Sequence, residues 1–436
     1  MKLFGNSLLT KQCSRGILTL AAVTAMACLV ASMPQKASAA CTPENDYRQG
    51  KVYTITPNSK PTKESNYQNS KVYYNKNTKA YFTIRSYMEK FQKAKKGTLI
   101  LKKGTYKITN TIQIPSNVTL ILEDGVKIVK GTKTNVSVMP ASKTLFHLIK
   151  PSNRDKSNVY GGHNGEKNIH IVGKGKVTVD LKYVSHGIGI VMGHNKDVTV
   201  DNISFKNINS GHFLEIDASK NVSITNCSFK DAKAGSDYVK EAINIDTPDK
   251  ETQGFNNAWS KHDKTPNENI TIANCTFTNM GRAIGTHKYS CKGNKQMYHE
   301  NIVIRDCEIK DMKWDAPIRI INWKDSVVEN VLIDKVKPSK NDSARGILAC
   351  GVDNISIKNN TFIGMNRPIQ IFPWKNIGPG DKYPVTYNKL TAENLEDLKS
   401  NSGSDLFEYF VRISEEYEDY TYPEIVYFNG HEDYEI

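Results

Sequence analysis

The chain has 436 residues and a formal net charge of +14, so it is long enough for one large core or for a repeat array with caps. The basic excess suits an acidic partner such as a uronic-acid polysaccharide or a cell-wall polymer. The sequence has no nucleic-acid recognition module and no CxxC pair, which argues against a nucleic-acid partner and a structural zinc site.

The start of the chain is typical of an export signal. A basic segment ends at Arg15, an apolar run extends from Ile17 to Ala31, and the small residues Ala37–Ala39 suit signal peptidase. The apolar run is short for a membrane span. We therefore expect residues 1–39 to be a signal peptide. The mature protein is expected to be secreted, extracellular or associated with the cell wall, without a transmembrane anchor.

The next segments predict a lead-in, a cap and the first repeats. Residues 40–79 are polar and rich in Asn and Tyr, and we predict an irregular lead-in there. Residues 81–101 have the pattern of an amphipathic helix followed by a strand. Because the open end of a stacked-repeat protein must be covered, this helix is predicted to be an N-terminal cap. Residues 101–109 and 117–131 are predicted to form the first coils.

One short phrase with alternating apolar residues recurs along the rest of the chain. It reads NVSITNCSFKDA at 221–232, and counting from the Val or Ile that opens each copy, the copies start at residues 198, 222, 270, 302, 327 and 355. The intervals are therefore 24, 48, 32, 25 and 28 residues, and 48 is either two coils or one coil with a large insertion. Period-two alternation predicts strands, and self-similarity of this size predicts a solenoid whose coils stack about 4.8 Å apart.

Two further columns of the repeat carry cysteine and asparagine. Cys227, Cys275 and Cys307 occupy the same slot of the repeat, so we predict an internal ladder of buried thiols rather than a disulfide framework. The polar step that ends the strand is often Asn. An Asn ladder that satisfies backbone groups at the bend is predicted at Asn226, Asn274 and Asn360.

The helix, the GTY coil and the NVxIxNCxF repeats resemble those of right-handed parallel β-helix proteins of the pectate lyase-like (pectin lyase fold) superfamily. The resemblance covers residues 80–375. It implies an all-β, right-handed parallel β-helix solenoid with an N-terminal capping helix and a partly helical C-terminal tail. Residues 376–436 are expected to be that cap or tail; from Thr391 to Ile436, 13 acidic and two basic residues give a net charge of −11. Superfamily members include lyases, hydrolases, epimerases, tailspikes and non-catalytic adhesins, so the fold does not fix the function.

A second strand in each coil is predicted to carry the functional site. Its copies read FLEID, AINID, AIGTH, PIRII, GILAC and PIQIF, starting at residues 213, 242, 283, 317, 346 and 368. The second and fourth positions are mostly apolar and point inward, so the other positions form an outer face. Stacked carboxyl groups so close should raise at least one pKa, as a general acid requires. The outer face is predicted to collect Glu215, Asp217, Glu241, Asp246, His287 and Arg319.

The order of EID, NID, GTH and RII resembles polygalacturonase-type hydrolases, whose pattern runs Asn-Thr-Asp, Asp-Asp, Gly-His-Gly and Arg-Ile-Lys. The resemblance places Asp217 at the first aspartate, Asp246 in the paired-aspartate region, His287 at the histidine and Arg319 at the arginine. The sequence departs from the pattern in having one Asp of the pair, no Gly after the His, and Ile320 in place of the Lys. That last change puts the grip on a substrate carboxylate in doubt.

These residues lead to a hypothesis of glycosidic hydrolysis. Asp246 or Glu241 would be the acid, Asp217 or Glu215 the base that activates water, and His287 would tune them. No cofactor is expected for this reaction. Four residues are predicted to hold the substrate: Arg319, His299 on the turn into a coil, Arg345, and Trp323, which with Trp314 flanks Arg319 and could stack on sugar rings.

Two other functions stay open at this point. A polysaccharide lyase acting on uronates needs a base and a positive charge on the carboxylate; Asp217, Glu241 and Asp246 could hold Ca²⁺, with Arg319 or Arg345 as the base. A non-catalytic glycan-binding adhesin would need no such chemistry. The expected partner in each case is a polysaccharide, most simply an acidic glycan bound by a monomer.

Overall fold

The computed structural model describes residues 46–63, 72–233, 241–337, 344–404, 407, 409–417 and the backbone of 426–427. The predicted signal peptide lies outside these ranges. The chain divides into two compact units, Met1–Tyr47 and Arg48–Ile436, and only the second is described at length. No helix within the described ranges is long and apolar enough to cross a membrane.

Three sheets are built from strands that repeat in turn along the chain. Sheet 1 contains Val52–Ile55, Gly97–Leu101, Val118–Leu122, Lys167–Gly173, Lys196–Asp201, Lys220–Thr225, Glu268–Ala273, His299–Arg305, Trp323–Glu329 and Asp353–Lys358. Sheet 2 contains Gly104–Ile108, Val126–Lys130, Thr178–Asp180, Ser204–Ile208, Ser228–Ala232, Thr276–Thr278, Glu308–Met312, Leu332–Val336, Thr361–Ile363 and Ser402–Gly403.

Sheet 3 carries the second strand of the repeat. It contains Ile112–Gln113, Thr144–His147, Ile188–Gly193, Leu214–Asp217, Glu241–Asp246, Arg282–Gly285, Ile318–Ile321, Arg345–Cys350, Arg367–Phe372, Val411–Ile413 and Val426–Tyr427. All pairings in the three sheets are parallel except the last one of sheet 3. A short antiparallel pair, Cys291–Lys292 with Lys295–Gln296, lies outside them. The predicted parallel β-helix is confirmed.

The strands stack in the predicted register with one exception. Val198 pairs with Val222, Val222 with Ile270, and Ile270 with Ile302, so the 48-residue interval is one coil with a large insertion. In the next coil the opening slot belongs to Ser326, since Val327 pairs with Val303 and Ser326 with Ile355. The intervals are therefore 24 and 29 rather than 25 and 28. Ser326 is tolerated because its hydroxyl oxygen accepts a hydrogen bond from the backbone N–H of Ile302, with 3.0 Å between oxygen and nitrogen.

Identical slots place identical side chains against each other inside the solenoid. The rings of Phe205, Phe229 and Phe277 stack with centroids 5.1 and 5.0 Å apart. The predicted thiol ladder is confirmed, because Cys227, Cys275 and Cys307 are free and buried. Each of these thiols lies against a backbone carbonyl, at 3.7, 3.7 and 3.8 Å.

The predicted Asn ladder at the bend is wrong for Asn226 and Asn274, and only Asn360 satisfies backbone groups as predicted. Asn226 and Asn274 adopt a left-handed backbone, with φ of 54° and 53°, and their side chains are exposed. Asn is chosen there because it tolerates this conformation better than most residues. Asn360 is buried instead and donates to the carbonyl of Val328. Amide-to-amide ladders form in another column, where Asn269 donates to Asn221, and Asn301 to Asn269.

Both ends of the solenoid are covered. The predicted N-terminal helix spans Lys79–Ala94 and buries apolar side chains such as Phe82 and Phe91. Part of the predicted lead-in is regular, because Val52–Ile55 pairs with sheet 1. At the other end the helix Ala392–Lys399 begins with a capping box at Thr391 and packs on the last strand of sheet 1.

Replacing Phe229 by Ala should lower the free energy of unfolding by about 3–5 kcal/mol, because the ring is fully buried between two others and leaves a cavity. Denaturant unfolding of the purified protein measures this. Tyr387→Ala is the matched control, since that ring is 54% exposed and its removal should cost little. Equal losses in the two variants would contradict the aromatic stack as a source of stability.

Candidate active site

The outer face of sheet 3 is covered by three segments of chain that leave the coils, residues 247–267, 286–298 and 373–390, called here the cover segments. The first brings Phe255 and Trp259 onto the sheet beside Val191. The other two bring Tyr289 and Tyr383, which pack with the fifth-position residues Ile321 and Cys350. The outer face is therefore partly shielded from solvent, and the candidate site lies between two small apolar clusters.

The predicted columns are nevertheless correct. Glu215 pairs with Asn244, Asn244 with Gly285, and Gly285 with Arg319. Asp217 pairs with Asp246, and Glu241 with Arg282. The residues Glu215, Asp217, Glu241, Asp246 and His287 are called here the acid–histidine cluster.

His287 lies at the centre of this cluster and contacts two carboxylates. Its Nδ1 is 2.9 Å from Oδ2 of Asp246, and its Nε2 is 2.7 Å from Oε2 of Glu241. The backbone N–H of His287 donates to Oδ1 of Asp246 at 3.0 Å, and Asn244 donates to Oδ2 at 3.2 Å. Asp246 thus holds the imidazole in place from one side, and Glu241 faces it from the other.

Gly285 allows the side chain of Glu241 to lie close to the sheet backbone at this point. A Cβ atom at that position would lie 3.2 Å from Cγ of Glu241 and 3.0 Å from the carbonyl oxygen of Arg319. These distances are tighter than ordinary van der Waals contacts. The Gly of the GTH sequence therefore leaves room for the Glu241 side chain from the coil before and the Arg319 backbone from the coil after.

Two arginines complete the site on the C-terminal side. Arg282 and Arg319 each place a guanidinium nitrogen 3.4 Å from Oε1 of Glu241. Arg282 also donates to the carbonyl of Asp315 at 2.9 Å, and Arg319 to the carbonyl of Thr286 at 3.0 Å. The guanidinium groups are thereby fixed by backbone oxygens and neutralise the buried carboxylate.

Glu241 and Asp246 are kept ionised. Burial by itself would raise the pKa of each carboxyl, but the neighbouring groups together, with His287 first among them, outweigh burial and lower both pKa values, for Glu241 well below its usual range. Arg319 and Arg282 add to the effect on Glu241. In return, burial lowers the pKa of His287 but the two carboxylates raise it above its usual value. The three groups form a carboxylate–imidazolium–carboxylate arrangement.

Glu215 and Asp217 are kept protonated. Burial and then the charge of Asp246 raise the pKa of Glu215 to about 8. Burial and then the charges of Glu215 and Asp246 raise the pKa of Asp217 well above its usual value. Both oxygens of Asp217 are buried without a hydrogen-bond partner, as a neutral carboxyl tolerates better than a charged one. These directions reverse the predicted roles, in which Glu215 or Asp217 was the base.

Of the remaining predicted binding residues, Trp323 and Arg345 do not join the cluster, whereas His299 lies near Asp246 and interacts with it electrostatically. Trp323 is fully buried in the main core, where its Nε1 donates to Thr286 at 2.8 Å, so stacking on a sugar is excluded. Arg345 lies beyond Arg319 and is engaged by Asp315 and Gln370. His299 is 1% exposed and accepts the amide of Asn267, and burial lowers its pKa to about 4.

Sequence reasoning missed His212, Arg282 and Asn244 as members of the site. His212 has its Nδ1 2.8 Å from the carbonyl oxygen of Glu241, and its ring centroid is 5.4 Å from that of His287. All three residues lie in or beside the aligned outer columns of the repeat. Their place in that alignment was the feature of the sequence that could have identified them. Within the described ranges, the group of side chains with metal-ligand spacing is His212, Glu241 and His287. Within those ranges Asp217, Glu241 and Asp246, the residues predicted to hold Ca²⁺, are not found as a group with metal-ligand spacing. A calcium site at these residues stays a prediction.

The cover segments are tied together by one buried carboxylate. Oδ2 of Asp249 accepts hydrogen bonds from the hydroxyls of Ser290 and Tyr383, both at 2.8 Å. These three residues belong to the three different cover segments. The walls of the site therefore share one hydrogen-bonded anchor.

Stability should fall as the pH rises from about 4.5 to about 8, in part because of Glu215. The folded protein holds this proton up to about pH 8, whereas the unfolded chain releases it near pH 4.5, so the folded state binds more protons in that window. Thermal unfolding of Glu215→Gln should therefore show a smaller loss of melting temperature between pH 5 and pH 8 than the unsubstituted protein.

Glu300→Gln is the control for this measurement, since Glu300 is an exposed glutamate on a strand of sheet 1. Its pH dependence should match that of the unsubstituted protein. An unchanged pH dependence in Glu215→Gln would contradict a protonated Glu215.

No family model and no curated protein matches the chain. Two structures of PfbA, a surface adhesin of Streptococcus pneumoniae, are similar to it. One has a TM-score of 0.56 and 19% identity over 77% of this chain and 76% of that chain. The other has a TM-score of 0.50 and 16% identity over 83% and 100%. A family 28 exopolygalacturonase of Yersinia enterocolitica has a TM-score of 0.41 and 10% identity over 76% and 67%. The chain therefore shares the fold of these proteins, a right-handed parallel β-helix.

Proposed function

We propose that this protein is a secreted hydrolase of an acidic polysaccharide. One observation carries the proposal: four carboxyl groups on two adjacent strands have pKa values moved in opposite directions around one imidazole. Cleavage of a glycosidic bond requires one protonated and one ionised carboxyl group in the same site. A purely structural ion cluster has no need of the protonated pair.

Glu215 is proposed as the general acid and Asp246 as the base. Glu215 is protonated near neutral pH and, with 8% of its surface exposed, lies nearer the solvent than Asp246. It donates its proton to the glycosidic oxygen as the bond from that oxygen to the anomeric carbon breaks. Asp246, kept ionised by His287, takes a proton from water, and the water oxygen bonds to the anomeric carbon.

The arginines and the net charge support an acidic substrate. The side chains of Arg319 and Arg282 are 16% and 11% exposed, so they are near the surface of the cluster and can face a uronate carboxylate. The +14 charge of the chain would also attract a polyanion. Arg319 is the arginine that we propose to contact the substrate, and Arg282 supplies a second positive group.

Incubation with a panel of acidic and neutral polysaccharides, with and without chelator, tests this proposal. We expect new reducing ends without near-ultraviolet absorbance, because hydrolysis leaves no conjugated double bond. Glu215→Gln and Asp246→Asn should each lower the rate by about 10²–10⁴-fold, the usual loss for a general acid or base. Glu300→Gln should leave the rate unchanged.

Other outcomes identify the rival functions. Reducing ends together with an absorbing unsaturated product, lost in chelator, would make the protein a lyase. Binding of one glycan without any cleavage, unaffected by Asp246→Asn, would make it a glycan-binding protein. Either result would overturn the hydrolase.

A further inference from the structure

The acid–histidine cluster also contains a set of metal ligands. His212, Glu241 and His287 each offer one ligand atom, and these atoms all lie within 4.8 Å of one another. Two imidazoles and one carboxylate are a ligand set of catalytic zinc sites, in which three protein ligands leave a fourth position open. Neither the hydrolase roles nor the predicted calcium trio makes use of His212.

The orientation of the two histidines fits this use. Nδ1 of His287 is held by the carboxylate of Asp246 at 2.9 Å, and Nδ1 of His212 by the carbonyl oxygen of Glu241 at 2.8 Å. Metal-binding histidines almost always have the second ring nitrogen held by a carboxylate or a carbonyl in this way. Since Nδ1 of each ring is held in this way, Nε2 is the nitrogen that we assign to the metal ion.

Two of the three ligand atoms form a buried ion pair with each other that is not aligned as a hydrogen bond. Oε2 of Glu241 and Nε2 of His287 lack an aligned partner although they are 2.7 Å apart, and Glu241 is fully buried. Bonds of about 2.0–2.1 Å to one tetrahedral ion place two ligands about 3.3 Å apart. These two atoms therefore need to separate by less than about 1 Å to admit an ion.

The surrounding charges allow a cation but weaken its binding. Arg282 and Arg319 both face Oε1 of Glu241 and leave Oε2 to the ion. Their positive charge opposes a cation, whereas the carboxyl groups of the cluster favour one. We expect an affinity below that of a structural zinc site, whose ligands face no such opposing charge.

We propose that His212, Glu241 and His287 bind one divalent transition-metal ion of the zinc class, through Nε2, Oε2 and Nε2. Asp246 is then a positioning residue for His287. The bound ion would displace the Nε2 proton of His287 and would neutralise Glu241 in its place. The site rests on its ligands alone and does not depend on the hydrolase proposal.

Titration of the chelator-treated full chain with Zn²⁺ in a calorimeter, without polysaccharide, tests the site. We expect one ion per chain, and Co²⁺ should give the visible absorption of a four-coordinate complex. His212→Ala should weaken Zn²⁺ binding at least 10-fold. Asp246→Asn should weaken it about 10- to 100-fold, the usual effect of a second-shell partner.

His186→Asn is the matched control, because His186 is exposed and has a left-handed φ of 53° that Asn tolerates. It should bind Zn²⁺ like the unsubstituted protein. If circular dichroism shows that His212→Ala is misfolded, His212→Gln replaces it. Absence of Zn²⁺ binding, equal binding in a folded His212 variant, or an equal preference for Ca²⁺ would overturn the metal site.

The two proposals fail separately. Zn²⁺ binding that depends on His212, with no cleavage of any polysaccharide, contradicts the hydrolase and keeps the metal site. Cleavage without Zn²⁺ binding contradicts the metal site and keeps the hydrolase.

Discussion

The pairing of each strand with the same slot of the next coil is the constraint on which this structure depends. Parallel strands hydrogen-bonded about 4.8 Å apart force residues in one slot into a column. Inside the solenoid the columns are homogeneous, as in the stack of Phe205, Phe229 and Phe277. On the outer face of sheet 3 the same rule brings together residues that are up to 104 positions apart, from Glu215 to Arg319.

The columns that form the candidate site differ from those inside the solenoid, because they contain unlike residues. A stack of like residues would repel if it were charged and buried, and here unlike residues are stacked instead. Glu241 lies between His212 and Arg282 in its column, and a protonated Asp217 lies beside an ionised Asp246. Burial would make each of these charges costly alone. Their mutual pairing lowers that cost, and the neutral state of Asp217 removes one charge altogether.

The fold and part of the candidate site could be predicted from the sequence, because both follow from period-two alternation and a fixed slot. Glu215, Asp217, Asp246 and Arg319 fall in the predicted columns for this reason. Ser326 could not be placed, since a polar residue in a core slot shifts the apparent start of a copy. The cover segments have no period, so neither the burial of the site nor the pKa directions that burial decides were accessible. Trp323 was misplaced because alternation does not tell an inward Trp from an outward one at a strand end.

The anchor at Asp249 has a consequence for the order in which the protein matures. Tyr383 follows Asp249 by 134 positions, and Arg319 also comes from a later coil. A chain that emerges from its N-terminus can stack its early coils in sequence, since each coil needs only the one before it. The walls of the site close only after the last coils have been added. A chain that ended before Tyr383 could therefore stack its early coils but would lack this shared anchor between the cover segments.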